Sequence, residues 1–185
     1  MLIRELSRAE FLGSLDELLA VYAAAMLPDP AQLPGRLAIM ERHAGYAGFR
    51  AIAVTVPSSP QVVAFSYGFR GAPGQWWHDV VRAAVGPVAA ARWLTDSLEI
   101  AEVHVRPEHQ RRGIGRGLLL SLTAGRDERT AVLSTQDENS PARHLYQSMG
   151  FTDLLTRFDF PGGGPSYAVM GAPLPLRTAP SPSSS

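Results

Sequence analysis

A β-strand, a glycine-rich turn and an apolar helix follow one another directly at the centre of the sequence. Residues 97–105 alternate as a strand does, residues 106–112 are polar, and residues 113–124 begin Gly-Ile-Gly and continue as an apolar helix. Glycines let a ligand approach the backbone closely, and the N–H groups at a helix N-terminus attract anions. The sequence therefore predicts an anion-binding turn, for which a pyrophosphate is the natural ligand.

Four arginines surround this turn. Arg106 lies at its beginning, whereas Arg111, Arg112 and Arg116 lie where the predicted helix starts. Each charge-assisted hydrogen bond from such a group to a phosphate contributes about 1.5–3 kcal/mol. The charge of the turn therefore agrees with the ligand that its backbone favours.

The predicted elements on either side include both strands and helices. Further strands are predicted over residues 2–4, 49–56, 61–70, 130–135, 151–160 and 167–171, and further helices over residues 7–26, 33–43 and 141–149. Residues 75–95 predict two short helices divided near Gly86 and Pro87. Because the order from residue 97 onward is strand, helix, strand, helix, strand, we expect an α/β (α+β) fold with a mixed, partly parallel sheet.

The chain length of 185 residues is typical of one domain. We predict a single domain over residues 1–176, with a helical insert over residues 71–97 between the third and fourth strands. The remaining residues, 177–185, end in Pro-Ser-Pro-Ser-Ser-Ser, a composition that predicts a disordered tail.

The composition excludes several functional classes. The chain contains no Cys, and all 17 basic residues are Arg, which excludes thiolate metal sites, cysteine nucleophiles and a Schiff-base lysine. We expect no metal cofactor. The formal net charge is zero, whereas general nucleic-acid binders are strongly basic, so we expect no nucleic-acid partner.

The N-terminal residues carry charges of both signs and lack the apolar segment of a signal peptide. No stretch of the sequence approaches the roughly 20 apolar residues of a membrane span. We therefore expect a cytoplasmic protein without a membrane partner.

A dinucleotide-binding turn is the first alternative for the central segment. Its fingerprint is G-x-G-x-x-G with an acidic residue about 20 positions further on. Here the glycines are Gly113, Gly115 and Gly117, so the third comes one position early, and the next acidic residue after the helix does not lie at that offset. A nicotinamide oxidoreductase is therefore disfavoured.

Two sequence blocks resemble the GCN5-related N-acetyltransferase (GNAT) superfamily. Gln110-Arg-Arg-Gly113-Ile-Gly115 matches the acetyl-CoA signature Q/R-x-x-G-x-G/A of that family. The segment from Asn139 to Phe151 resembles its later pattern N-x-x-A-x-x-x-Y-x-x-x-G-F. The resemblance implies a GNAT-like sheet of six to seven strands flanked by helices. It also implies acetyl-CoA as co-substrate.

The resemblance also implies roles for individual residues. The backbone of the strand would pair with the pantetheine arm of CoA, the turn would hold the pyrophosphate, and Tyr146 would protonate the leaving thiolate. The implied cofactor-binding residues are Val103, His104, Val105, Gln110, Arg111, Arg112, Gly113, Ile114, Gly115, Arg116 and Asn139.

Several groups are candidates for the base that deprotonates an acceptor amine. Glu102 is the first candidate, because a carboxylate in a central strand is costly to bury without a function or an ion pair. Glu99 lies at the offset that some family members use, and His104 has a suitable ordinary pKa. Strand alternation places Glu102 and His104 on one face and Glu99 on the other. A water chain is the remaining alternative.

The resulting functional prediction is an N-acetyltransferase that modifies a primary amine of a small molecule or peptide by direct attack in a ternary complex. The alternative is a catalytically silent acyl-CoA-binding sensor or scaffold. Family habit implies a homodimer. Trp76 and Trp77 of the insert are expected to form a small core or a dimer contact, and a lid over the acceptor pocket is the alternative. Arg143 is expected to be solvated, and contact with a CoA phosphate is the alternative.

Overall fold

The computed structural model describes residues 1–57 and 59–177, and only the backbone of residues 59 and 60. Most of the predicted tail, residues 178–185, lies outside the described residues. The strands are β1 (Leu2–Leu6), β2 (Arg50–Val56), β3 (Ser59–Arg70), β4 (Ser97–Val105), β5 (Thr130–Gln136), β6 (Thr152–Phe158) and β7 (Tyr167–Pro173). The helices are α1 (Arg8–Gly13), α2 (Leu15–Met26), α3 (Leu33–His43), α4 (Trp76–Trp93), α5 (Ile114–Thr123) and α6 (Pro141–Ser148).

The seven strands follow the order β1-β2-β3-β4-β5-β7-β6 in the described residues. Strands β4 and β5 pair in parallel. Four pairs are antiparallel: β1 with β2, β2 with β3, β5 with β7, and β6 with β7. The predicted mixed, partly parallel sheet is therefore confirmed, although most of its strand pairs are antiparallel.

Contacts divide the chain into two compact units, residues 1–70 with 100–124 and residues 71–99 with 125–185. In the first unit α2 packs against α3 and β3, and α5 packs against β2 and β3. Its core is rich in aromatic and aliphatic side chains with almost no exposed surface, among them Phe11, Leu18, Met40, Phe65 and Tyr67. Each such side chain stabilises the fold by about 1.5–3 kcal/mol.

The second unit packs α4 on β5 and β6. The core of this unit contains Val132 of β5 and Val169 of β7. Buried against them are Val81 and Ala90 of α4 and Leu94, which follows α4. The prediction of one domain over residues 1–176 stays a prediction.

The helix of the insert is broken at Gly86, as predicted. Gly86 has φ 78° and ψ 169°, a conformation that favours glycine, and Pro87 follows with no backbone N–H to donate. Together the two residues end one helical segment and begin the next.

The predicted helix over residues 7–26 is two helices. Ser7 caps α1 through a capping box with Glu10, as the sequence predicts. The helix stops at Gly13, and Ser14 separates it from α2 with φ −109° and ψ 8°. Glycine and serine adjacent to each other weaken the helix at this point, because both have low helix propensity.

None of the helices in residues 1–57 and 59–177 is both long and apolar enough to cross a membrane.

The close packing at Gly171 predicts a destabilising substitution. A Cβ there would lie 2.8 Å from Trp93 Cε3, which is too close for a real contact, and 3.1 Å from Leu154 Cδ1, which is a tight contact. We expect Gly171→Ala to lower the free energy of unfolding by about 1–3 kcal/mol, measured by urea denaturation.

Gly35→Ala is the matched control, because nothing lies within 4 Å of a Cβ at this exposed position in α3. We expect it to stabilise the protein by about 0.5–1 kcal/mol through helix propensity. Equal effects of the two substitutions would contradict the packing described for Gly171.

Candidate active site

The turn between β4 and α5 is anchored at both ends. The Arg106 N–H donates to the Val63 carbonyl at 2.9 Å, which joins the end of β4 to β3. The Gln110 side chain donates through Nε2 to the Val105 carbonyl at 3.0 Å, and residues 107–109 form one 3-10 turn between them. Gln110, a predicted cofactor-binding residue, therefore folds the turn back onto the strand.

The backbone of the turn leaves the N-terminus of α5 open. Arg111 and Gly113 have φ angles of 61° and 78°, both in the left-handed region. No side chain in the described residues caps α5, and a helix has no internal acceptor for the N–H groups of its first turn. These groups include Ile114 and Gly115. Left-handed residues followed by a helix start form a concave array of N–H donors that suits an anion.

The side chains of the turn add positive charge to this array. Arg111 and Arg112 are exposed, and Arg116 is half-buried. A Cβ placed on Gly113 would meet nothing within 4 Å, so the space above the backbone is open. The arrangement fits a diphosphate such as that of CoA, which would be held by the N–H groups and by the exposed guanidinium groups.

Glu102 forms two charged contacts inside the first unit. Its Oε1 accepts from Nη1 of Arg36 in α3 at 2.7 Å, and its Oε2 contacts Nε2 of His104. The Glu102 side chain is 6% exposed and that of His104 10%, whereas Arg36 is 34% exposed. The prediction that Glu102 and His104 share one strand face agrees with this contact.

Tyr22 of α2 completes a closed ring of contacts. The Arg36 guanidinium lies 4.8 Å from the centre of the Tyr22 ring, and the Tyr22 ring meets His104 edge-on at 5.1 Å. We call Tyr22, Arg36, Glu102 and His104 the polar ring. Burial alone disfavours the carboxylate, but the His104 and Arg36 contacts hold the pKa of Glu102 below its ordinary value.

A second histidine lies next to the polar ring. His43 of α3 is hydrogen-bonded to the Tyr67 hydroxyl at 3.2 Å and packs against Phe69 and Tyr46. Burial, followed by repulsion from Arg42, lowers the pKa of His43 to about 4. His43 is therefore neutral at neutral pH.

Glu99 is a carboxyl group of a different kind. It belongs to the second unit, its side chain is buried, and its Oε2 has no hydrogen-bond partner among the described residues. Burial raises the pKa of Glu99 to about 8. Glu99 is thus protonated at neutral pH, whereas Glu102 is ionised.

The second unit also holds Asn139 and Tyr146. Asn139 is exposed just before α6, whose N-terminus is capped by Ser140. Tyr146 lies in α6, is 7% exposed and packs edge-on against Phe151 at 5.8 Å.

The expectation that Arg143 is solvated is wrong. Its side chain is 13% exposed and forms ion pairs with Asp137 at 2.8 Å and Asp153 at 2.7 Å. Because Asp137 also accepts from the N–H of Arg157, which has φ 49°, this cluster stabilises an irregular point in β6.

The tryptophans of the insert have separate environments. Trp77 packs against the core of the second unit and donates through Nε1 to Ser134 at 3.1 Å. Trp76 is 57% exposed and lies 5.6 Å from the Phe160 ring. The small-core expectation therefore describes Trp77.

Arg36 is the residue of this site that sequence reasoning missed. It lies 66 positions from Glu102 along the chain, so no local spacing connects the two. The one available signal was the expense of burying Glu102, which requires a cation from some other element.

Comparison with known proteins finds similarity to acetyltransferases. Residues 74–153 match the family model described as an acetyltransferase (GNAT) domain. The chain is 39% identical over 127 residues to a GCN5-like protein acetyltransferase of Mycobacterium tuberculosis, which covers 64% of this chain and 62% of the relative. The chain thus spans less than two thirds of that relative's length.

Solved structures have the same fold. The ribosomal-protein-S18-alanine N-acetyltransferase of Escherichia coli has a TM-score of 0.62 at 18% identity, covering 97% of both chains. An N-acetyltransferase of Thermoplasma acidophilum in complex with coenzyme A has a TM-score of 0.59 at 15% identity, covering 94% of this chain and 99% of that one. The fold is thus that of solved GNAT acetyltransferases, and residues 74–153 of the chain are similar to the GNAT acetyltransferase domain.

The buried Glu99 predicts a loss of stability at alkaline pH. The folded chain keeps a proton on Glu99 up to about pH 8, whereas the unfolded chain loses it near its ordinary pKa of 4.5. Stability therefore falls as pH rises through this window, by about 1 kcal/mol per pH unit between about pH 7 and 8. Urea denaturation at several pH values measures it.

Glu99→Gln is the control, because it has no proton to lose and should remove this slope. His43 does not interfere there, since its pKa of about 4 confines its effect to the acid side of its ordinary value of 6.5. A slope that persists in Glu99→Gln would show that another group is responsible.

Proposed function

We propose that the chain is an acetyl-CoA-dependent N-acetyltransferase that modifies a primary amine of a small molecule or peptide. The amine attacks the thioester directly in a ternary complex, since the chain has no Cys to carry the acetyl group. The observation that carries the proposal is the uncapped N-terminus of α5, which follows the turn bearing the family's acetyl-CoA signature. Bound coenzyme A in the Thermoplasma acidophilum structure supports it.

The cofactor is held mainly by backbone groups. The β4–β5 pairs cover Ser97–Glu99, and β4 continues beyond them to Val105. Val103, His104 and Val105 pair with the pantetheine arm as an added strand would. The N–H groups from Arg111 to Arg116 bind the pyrophosphate.

The remaining roles follow from the family resemblance. Asn139 contacts the pantetheine arm, and the Tyr146 hydroxyl donates a proton to the leaving thiolate. Phenolic hydroxyls suit this task because they are mostly protonated at neutral pH, with an ordinary pKa of about 10. The same resemblance supports a homodimer, and a cytoplasmic location stays a prediction.

Two carboxyl groups offer different chemistry to the acceptor amine. Glu102 is ionised, but both of its oxygens are engaged, by Arg36 and His104. Glu99 has an oxygen with no hydrogen-bond partner in residues 1–57 and 59–177, and its pKa is about 8, so it becomes a base only in alkaline solution. These properties favour the polar ring over Glu99 as the source of the base at neutral pH.

Gly113→Val is expected to weaken acetyl-CoA binding. The added side chain would occupy the open space above the turn and strain a residue with φ 78°, which prevents the pyrophosphate from approaching the backbone. We expect the Kd for acetyl-CoA to rise at least about tenfold, equivalent to about 1.4 kcal/mol, in isothermal titration calorimetry.

Gly125→Val is the matched control. Gly125 has φ 63° and equally open surroundings, but it follows α5 instead of preceding it. The two valine variants therefore have comparable backbone strain, but Gly125→Val leaves the turn between β4 and α5 unchanged. If both variants bound acetyl-CoA with the affinity of the unmodified chain, the assignment of the turn would be wrong.

Tyr146→Phe is expected to lower kcat by about 100-fold with little change in the Kd for acetyl-CoA, since general acids contribute about 10²–10⁴-fold. Thiol release with an accepted amine measures the rate. Tyr167→Phe, which removes the hydroxyl of another tyrosine of the second unit, serves as the comparison. An unchanged rate in Tyr146→Phe would mean that its hydroxyl is not the proton donor.

A further inference from the structure

We propose that the His104 imidazole takes the proton from the acceptor amine, and that Glu102 and Arg36 are positioning residues for this imidazole. The proposal rests on the proposed N-acetyltransfer and goes beyond it by assigning the base to a side chain on the polar ring. Its support is the chain of contacts Arg36–Glu102–His104 inside the first unit.

The contact with Glu102 determines which nitrogen of His104 can act. An ionised carboxylate only accepts hydrogen bonds, so Nε2 of the neutral ring carries the hydrogen. The other nitrogen, Nδ1, then has a free lone pair and can accept a proton. This is the arrangement in which a carboxylate fixes both the tautomer and the orientation of a catalytic imidazole.

Glu102 itself is poorly suited to be the base. Its Oε1 is bound by Arg36 and its Oε2 by His104, and its side chain is nearly inaccessible to solvent. A carboxylate whose pKa is lowered by these partners also has little affinity for a further proton. Its two bonds fit a residue that orients a neighbour.

Arg36 keeps Glu102 charged and in place. Its guanidinium lies between the Glu102 carboxylate at 2.7 Å and the Tyr22 ring at 4.8 Å, so it has a contact on each side. Arg36 thus holds Glu102 in the position from which it contacts His104.

Each element packed around Glu102 and His104 contributes a charged or titratable side chain. α2 contributes Tyr22, α3 contributes Arg36 and His43, and β3 contributes Tyr67. Burial lowers the pKa of His43 to about 4, so this ring is neutral at neutral pH. The charged side chains of the polar ring that act on His104 are therefore Glu102 and Arg36.

The proton balance of the transfer is complete with one base. The ammonium form of the acceptor gives one proton to His104 Nδ1, and His104 later releases it to solvent. The amine lone pair forms the new C–N bond to the acetyl carbon, and the C–S bond breaks with its electron pair on sulfur. The second proton of the nitrogen ends on the thiol of the product CoA.

The dependence of kcat/KM on pH tests the proposal. We expect His104→Asn to lower kcat by about 100-fold or more and to remove the acid limb of the profile, with acetyl-CoA affinity unchanged. The positioning variants should move the limb in opposite directions. Glu102→Gln shifts it to lower pH, because the anion that stabilises the imidazolium is lost. Arg36→Gln shifts it to higher pH, because a repelling cation is lost.

Further variants distinguish a positioning role from a purely structural one. Arg36→Lys retains the charge and should restore the position of the limb, although the cation–π contact is weakened. His144→Asn, at an exposed histidine of α6, should match the unmodified chain. An acid limb that survives in His104→Asn and disappears in Glu99→Gln would overturn the proposal.

NMR of ¹⁵N-labelled histidine in the acetyl-CoA complex is a second test that needs no acceptor. The expected signal for His104 is that of a neutral ring with hydrogen on Nε2, lost or changed in Glu102→Gln. A ring with hydrogen on Nδ1 would overturn the assignment. A chain that binds no acetyl-CoA would instead refute the proposed function, so the two failures are distinguishable.

Discussion

Burial of an ionised carboxylate within a sheet strand is the constraint on which the first unit depends. A buried charge without a partner costs several kcal/mol, and removing one member of a buried pair typically costs about 3–5 kcal/mol. The charge of Glu102 is compensated because one carboxylate oxygen is bound by Arg36 of α3 and the other by His104. Since Tyr22 of α2 contacts both Arg36 and His104, the same charge ties two helices to β4.

Strand β4 contributes to both the polar ring and the anion-binding turn. Side chains of its buried face supply the polar ring, whereas its C-terminal end leads through the anchored turn to the open N-terminus of α5. The turn depends on residues that tolerate left-handed backbone, above all Gly113, and on Gln110 for closure onto Val105. A strand that ends in such a turn can present backbone donors to a ligand without using side chains to bind it.

Most of the fold was predictable, because its signals are local. The capping box at Ser7 and Glu10, the break at Gly86 and the turn before α5 each depend on residues a few positions apart. The interruption at Ser14 was missed because the apolar spacing continues across it. Arg36 could not be found, since its partner lies 66 residues away, and the different states of Glu99 and Glu102 depend on burial and partners that only the folded chain has.

The proposed acetyl transfer is tested most directly by isothermal titration of the purified chain with acetyl-CoA, followed by thiol release with a panel of primary amines. We expect saturable binding at one site and thiol release that requires an amine. Binding without release on any amine would contradict the enzymatic part and favour a silent acyl-CoA sensor. Absence of binding would contradict the assignment of the turn between β4 and α5, on which the rest of the proposed chemistry depends.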